Sequence, residues 1–371
     1  MKRGICFVLL GLVVVLVGWA LTPSPIDPVA WTPPPEPALD GPWQPNNALK
    51  GAELLAKGDV KGPEAVALDA AGNVYAGMEN GWIVRLAGAG TQPPGAGAEA
   101  VVERWVNTGG RPLGMDFDQK GNLIVADAWK GLISIAPDKT LKTLATEAEG
   151  VPFGFTDDLD IASDGTIYFS DASSRFNQPD FKLDLLENRP HGRLLKYEPA
   201  TGEVVVLMPA LHFANGVAVD PQERFVLVNE TWRYRVLRHW LAGERAGTTD
   251  VFADNLPGFP DNISRDQQGR YWLALPTLRN ATVDRAHPHP WLKELMAKLP
   301  EAIQPQAQEY GLIAVLGPEG EILASFHDTE GKHLQEITSV EPVEDFLYLG
   351  SLHNDRIGRL ALSELELPTS D

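Results

Sequence analysis

Polar and apolar positions along the chain repeat one phrase. Its clearest copy, FTDDLDIASDGTIYFSD (155–171), is a polar loop, a short apolar run, a Ser-Asp-Gly turn, a second apolar-aromatic run and a terminal acid. Apolar runs of this length, broken by a turn that contains Gly, predict a β-hairpin. The phrase recurs at GPEAVALDAAGNVYAG (62–77), RPLGMDFDQKGNLIVAD (111–127), FANGVAVDPQERFVLVNE (213–230), FPDNISRDQQGRYWLALP (259–276) and LQEITSVEPVEDFLYLGS (334–351). A third apolar run follows each copy, such as GWIVRLA, GLISIAP or GRLLKYEP, and often a fourth, such as VVVLMPAL or ILASFHD. Four strands per unit and six units predict an all-β, six-bladed β-propeller over residues 50–365. A leftover apolar stretch near 53–56 is expected to complete the last blade and close the ring.

Two units carry long insertions between their second and third strands, at about 172–190 and 277–310. The second contains PWLKELMAKLPEAI, whose apolar residues have helical spacing. Long loops in a compact domain are more often functional than accidental, so these are expected to form a lid.

Upstream of the repeats the pattern changes twice. Lys2 and Arg3 precede an unbroken apolar run over residues 5–21. Its length suits either a transmembrane anchor (1–21) with a cytoplasmic N-terminus, or a signal segment cut after the small residues Gly18 and Ala20. Either reading exports the rest of the chain, membrane-anchored on the periplasmic or extracellular side or secreted. Residues 22–49 are crowded with proline, which excludes helix and central strand and predicts an extended linker.

Charge narrows the choice of partner. The chain has 371 residues and a net charge of −19, which argues against nucleic acid, because phosphate binding needs clustered Lys and Arg. A metal cation is compatible with that charge. The single cysteine, Cys6, lies in the apolar N-terminal run, so the folded part has neither a disulfide nor a thiol nucleophile. No GxSxG elbow and no Walker loop is present.

One position within the phrase points to chemistry. The copies can be aligned on the residue that opens the first turn: Asp69, Asp118, Ala162, Asp220, Asp266 and Glu341. The position five residues back then reads Glu64, Leu113, Asp157, Asn215, Asp261 and Glu336. Innermost strands line the channel of a propeller, so these acids and the amide are expected to converge on the axis. Converging carboxylates repel and lose hydration, and a hard cation removes that cost. Their oxygens, with that of Asn262, are the donors Ca²⁺ takes, and no His or Cys joins them. The turn aspartates Asp69, Asp118, Asp220 and Asp266 are expected only to form turns.

At these residues the chain resembles a known family. GPEAVALD, GRPLGMDFD, ADAWKGL, LATEAEGVPFGFTDDLDI, GTIYFSDASS, GRLLKYEPATGEV, FANGVAVD and LPGFPDNI are similar to strictosidine synthase-like and adipocyte plasma membrane-associated proteins. More distantly they resemble paraoxonases and the gluconolactonase (senescence marker) family. The resemblance implies a six-bladed propeller with a catalytic Ca²⁺ held by Glu64, Asn215, Asp261 and Asn262. Asp157 stands where relatives have Asn, and adds a negative charge. Gln335 stands where the alkaloid-forming members carry a Glu base; an amide cannot take that proton, so strictosidine synthesis itself is not expected.

The function expected from the residues and the resemblance together is metal-dependent hydrolysis of lactones or aryl esters. The cation, Ca²⁺ or alternatively Mg²⁺, Mn²⁺ or Zn²⁺, would polarise the carbonyl. Asp261, His212 in LHFANG and His353 in GSLHND are the candidate catalytic residues for proton transfer. The alternative is a non-catalytic propeller that binds a ligand or protein around a structural metal. HPHP (287–290) reads as plain loop.

Overall fold

The repeated phrase folds into antiparallel hairpins that stack outward from a common axis. The computed structural model describes residues 18–19, 22–91 and 100–367. Six four-stranded sheets form the propeller. From the inside outward, the first blade comprises Val66–Leu68, Val74–Gly77, Trp82–Leu86 and Val102–Asn107. The second comprises Pro112–Phe117, Leu123–Asp127, Gly131–Ile135 and Leu141–Ala145. The third comprises Thr156–Ile161, Ile167–Asp171, Gly192–Glu198 and Glu203–Leu211. The fourth comprises Ala214–Val219, Phe225–Glu230, Arg235–Trp240 and Thr249–Ala253. The fifth comprises Ile263–Arg265, Tyr271–Ala274, Gly311–Leu316 and Ile322–Asp328. The sixth takes Ile337–Val343, Phe346–Ser351 and Ile357–Ala361 from the end of the chain, and Glu53–Leu55 from before the first blade.

That borrowed strand is the expected closure. Glu53 pairs with Arg359 and Leu55 with Ile357. Each innermost strand touches the innermost strand of the next blade around the whole ring. Apolar side chains fill the wedges between blades. Ile83, Tyr75, Met115 and Val125 pack between the first and second, and Ala126, Leu159, Phe169 and Leu195 between the second and third. The innermost strands approach so closely that small residues are required. A Cβ at Gly114 would fall 2.2 Å from an Asp158 carboxylate oxygen, and one at Gly216 would fall 2.4 Å from the Asp261 carbonyl.

Turn chemistry fixes the register, and corrects one blade. Asp69 accepts the backbone N–H groups of Ala71 and Asn73 (3.0 and 2.9 Å), and Asp118 does the same for Lys120 and Asn122 (2.9 and 2.8 Å). Asp220 and Asp266 cap the equivalent turns, so these four aspartates are turn formers. The sixth blade departs. Val343 pairs directly with Phe346, leaving a turn of only Glu344 and Asp345, with Glu344 at φ 51°. Glu341 therefore lies inside its strand, opposite Tyr348, and does not open the turn. The pair Val340–Leu349 corresponds to Val66–Ala76 and Ile263–Leu273, so Thr338 and not Glu336 occupies the position of Glu64 and Asp261.

A second compact unit comprises residues up to Pro33 together with 182–189 and 280–306. Here the insertions form the short helices Phe181–Glu187, Ala281–Ala286 and Pro290–Ala297, the last matching the helical spacing in the sequence. Asn280 caps the second of these, its side-chain oxygen accepting from Thr282 N and Val283 N (3.0 and 3.3 Å). The proline-rich segment runs extended alongside: Val29 N donates to Glu187 O (3.1 Å), Trp31 N to His287 O (3.1 Å), and Lys293 Nζ to Val29 O (2.6 Å). From Pro34 the segment belongs to the propeller unit. There Asn46 bonds Ser325 O and His327 N on an outer strand (2.9 and 3.0 Å). The expected spacer is thus bound rather than free. The apolar run expected to anchor or export the chain (5–21) lies outside the described residues except for 18–19. Among the described residues no helix is long and apolar enough to cross a membrane.

The seam of the ring depends on Arg359, which is 2% exposed. Its guanidinium holds Glu53 of the closing strand (3.0 and 2.5 Å) and the Ala89 carbonyl beside the first blade (2.7 Å). Arg359→Met should cost about 3 kcal/mol in urea unfolding, because Glu53 loses its buried partner. An unchanged urea midpoint would show that the seam does not rely on this pair.

Candidate metal centre and flanking histidines

Acids at the ends of the second strands hold the loops that lead into the innermost strands. Asp127 accepts the Arg111 N–H (3.0 Å), Asp171 those of Gly154 and Phe155 (3.1 and 2.9 Å), and Glu230 that of His212 (2.8 Å). The terminal acid of the repeated phrase therefore anchors the residues just ahead of the channel. Hydrogen bonds to backbone carbonyls then lock neighbouring blades at that level. Gly216 N donates to Asp261 O (3.2 Å), Asn262 N to Thr338 O (3.0 Å), and Thr338 Oγ1 to Glu64 O (2.7 Å).

These restraints bring the expected acid-amide set together, with Thr338 in the sixth place. Glu64, Asp157, Asn215 and Asn262 are 3 to 5% exposed, and Asp261 is partly buried. Buried and without a hydrogen-bond partner are Glu64 Oε2, Asp157 Oδ2, Asn215 Oδ1 and Asn262 Oδ1, together with Thr156 Oγ1 and Asn229 Oδ1 beside them. An unpaired buried oxygen costs on the order of 1–3 kcal/mol, more when charged. Burial, and then the charge of Asp261, push the Glu64 carboxyl up to about 8. Burial raises Asp261 to about 8, against a hydrogen bond from the Asn215 side chain. Burial followed by the charges of Asp261 and Glu64 lifts Asp157 well above the carboxylate range. Asp261 is thus close enough to resist ionisation of Glu64, and both resist ionisation of Asp157.

The donor set is oxygen only and contains two amides, which suits a hard cation. Among the described residues no three His, Cys, Asp or Glu side chains form a metal-holding group by themselves. The fit rests on the unpartnered oxygens and on the contribution of Asn215 and Asn262. Leu113, the second blade's residue at this level, brings no donor. Glu336 stands apart, bonded to His353.

Sequence reasoning missed Arg111. It is 2% exposed, donates to Gly62 O (3.1 Å), and feels the charges of Glu64, Glu79, Asp127 and Asp157. Its only signal was a basic residue two places before the silent Leu113. It also missed Asp158, whose Oδ2 accepts Val217 N of the next blade (2.9 Å). A channel cavity of about 580 Å³ runs from Asn262 and Asp158 past Asp116, Asp160 and Glu341 to the first turns. Of the oxygen set only Asn262 lines it.

The two histidines differ in environment. His212 Nδ1 lies 3.1 Å from Glu230 Oε1, and burial lowers its pKa despite that bond. Glu230 is held down to about 2: burial opposes this, but the hydrogen bond from His212 and the charge of Arg235 prevail. His353 Nδ1 lies 2.5 Å from Glu336 Oε2, and this bond raises its pKa. Of the two, His212 is therefore the less readily protonated and His353 the more readily protonated. His287 of HPHP is buried at the end of a short helix.

The acid set makes stability depend on pH with a definite sign. Folded-state pKa values above the unfolded value of about 4 mean that the native protein holds more protons between about pH 4 and pH 8. Stability of EDTA-treated protein should therefore fall by at least about 1 kcal/mol as pH rises through that window. Added Ca²⁺ should remove most of the fall. Denaturant titrations at several pH values check this; a flat profile without cation would show that the carboxylates do not interact.

Comparison with known proteins agrees with this architecture. The strictosidine synthase family model matches residues 157–244, and the model for the strictosidine synthase-like N-terminal region matches 41–86. Strictosidine synthase-like protein 7 of Arabidopsis thaliana is 36% identical over 85% of this chain and 82% of its own. The human adipocyte plasma membrane-associated protein is 36% identical over 92% of this chain and 85% of its own. Among solved structures, a gluconolactonase from Xanthomonas campestris superposes with a TM-score of 0.60 at 16% identity, over 94% of this chain and 99% of that one. The calcium-binding protein regucalcin from Agrobacterium tumefaciens superposes at 0.56 with 14% identity, over 84% and 92%. At such identities the structures show the propeller fold and nothing finer, whereas the sequence relatives decide the lineage: the chain belongs to the strictosidine synthase-like family that includes the adipocyte plasma membrane-associated proteins.

Proposed function

We propose that this protein is a metal-dependent hydrolase of lactones or aryl esters. The observation that carries the reading is the group of buried, unpartnered oxygens on Glu64, Asp157, Asn215 and Asn262, contributed by four blades. Glu64, Asp157, Asn215, Asp261 and Asn262 would hold the ion, with Ca²⁺ preferred over Mg²⁺, Mn²⁺ or Zn²⁺ because the donors are all oxygen and come from separate strands. When bound, the cation supplies a Lewis acid for a carbonyl oxygen and its developing negative charge. Asn215 orients Asp261 by its side-chain bond. Arg111 offsets part of the acid charge. A proton acceptor for water is still needed, and His212 or Asp261 would provide it. His353, raised by Glu336, is suited to donate a proton to the leaving oxygen.

The gluconolactonase and luciferin-regenerating enzyme among the structural neighbours support an enzymatic reading, and the regucalcin supports a cation. Membrane association, through residues 5–21, is supported by the names of the adipocyte relatives. One observation favours a second reading, a ligand-binding propeller with a structural cation: the channel cavity reaches Asn262 but not Glu64, Asp157, Asn215 or Asp261.

Hydrolysis of phenyl acetate and a lactone panel, with and without EDTA, separates the readings. The hydrolase should lose activity in EDTA and regain it with Ca²⁺. Glu64→Ala combined with Asp261→Ala should lower kcat/KM at least about 100-fold. Turnover indifferent to EDTA and to both substitutions would overturn the proposal. Bound Ca²⁺ without turnover on any substrate would support the binding module.

A further inference from the structure

We propose that Glu230 is a positioning residue that fixes the His212 imidazole with Nδ1 protonated and Nε2 free, making His212 the base that takes the proton of the attacking water. The inference rests on the hydrolase reading, and it adds a residue that the repeated phrase marks only as a strand end.

The geometry is specific. Glu230 Oε1 accepts both the His212 backbone N–H (2.8 Å) and the ring Nδ1 (3.1 Å). Its Oε2 is held by Arg235 at 2.6 and 2.5 Å. The Glu230 side chain is 1% exposed, so the carboxylate has a single arrangement, while the His212 side chain keeps 19% exposure. An ionised carboxylate can only accept, so Nδ1 carries the proton and Nε2 carries the lone pair.

Holding the loop does not by itself require this residue. Asp127 and Asp171 hold the equivalent loops of the second and third blades, and neither loop presents an imidazole to its acid. The fourth blade uses Glu, one methylene longer, and reaches the ring as well as the backbone. The loop is also tied to the oxygen set. Phe213 sits at φ 63° and packs on Phe155 and Trp232, with ring centroids 5.2 and 4.4 Å apart. Trp232 N donates to His212 O (3.3 Å), and Thr231 Oγ1 to the carbonyl of Pro260, the residue before Asp261 (2.8 Å). His212 thus precedes the strand of Asn215, and the Thr231–Trp232 turn that bonds its carbonyl is itself tied to the loop of Asp261. The charged groups acting on the ring are Glu230, Arg233 and Arg235.

The step balances without another reactant. A water O–H bond breaks and its proton goes to Nε2 as the oxygen bonds to the carbonyl carbon. The ester or lactone C–O bond then breaks, and the leaving oxygen takes one proton. That proton is delivered from His212 Nε2 or from His353, which is then replenished by the proton His212 holds. The product is a carboxylic acid with an alcohol or phenol, joined in one hydroxy acid when the substrate is a lactone.

Kinetics and imidazole ¹⁵N NMR on the intact protein with Ca²⁺ test the assignment. His212→Ala should lower kcat about 100-fold or more, with partial rescue by added imidazole. Glu230→Gln should lower kcat about 10-fold or more with little change in KM, show a mixed His212 tautomer, and add little to His212→Ala. Arg235→Gln, which removes the ion pair but leaves the histidine bond, should keep the tautomer and most of kcat. Glu230→Gln with wild-type kcat and an unchanged ¹⁵N pattern would overturn the positioning role. His212→Ala with wild-type kcat, while Glu64→Ala is inactive, would overturn the base and leave the hydrolase reading standing. Absence of wild-type turnover would instead fail the hydrolase reading and the base with it, and the ¹⁵N pattern of Glu230→Gln would still decide whether Glu230 sets the tautomer.

Discussion

Carboxyl groups that repel one another, yet cannot escape because a closed ring of sheets holds their backbones, are the constraint on which this protein is organised. Glu64, Asp157 and Asp261 stand at the entry of the innermost strands of three blades, and each raises the proton affinity of another or has its own raised by burial. Something bound in the folded state would offset that cost. The unpaired oxygens of Asn215 and Asn262 beside them make a cation the simplest answer.

The ring itself is what delivers the acids to one place. A blade alone presents one donor, and no single blade could bind an ion with it. The inter-blade bonds at Gly216, Asn262 and Thr338 and the glycines that let innermost strands approach act at the level of the acids, and pairing of the outermost strand Glu53–Leu55 with the last blade closes the ring around them. Stability and site are therefore built from the same contacts. The strand-end acids extend that logic: Asp127 and Asp171 restrain loops, and Glu230 restrains a loop and a histidine together.

Much of this was legible in the sequence because a propeller is a repeat. The period gave six blades, the leftover strand gave the closure, and five copies gave the correct register. The sixth did not, because its first turn has two residues, so counting from Glu341 landed on Glu336, two places from Thr338. Arg111 was invisible for a related reason. The repeated position marks oxygen donors, and Arg111 lies two residues before Leu113, in the blade that offers none. Glu230 was read only as the end of a strand, since nothing in the one-dimensional pattern shows that its carboxylate meets His212, 18 residues earlier. The proline-rich segment looked like a spacer because composition reports conformation, whereas its partners come from insertions and an outer strand far along the chain.

The central claim is that oxygens from separate blades share one ion. A crystal structure of the propeller domain grown with Mn²⁺, with anomalous differences measured near the manganese edge, tests it most directly. The account predicts one strong peak on the channel axis bonded to Glu64, Asn215 and Asp261. A peak bound only elsewhere, or these three side chains pairing with one another around an ion-free channel in saturating Mn²⁺, would contradict it.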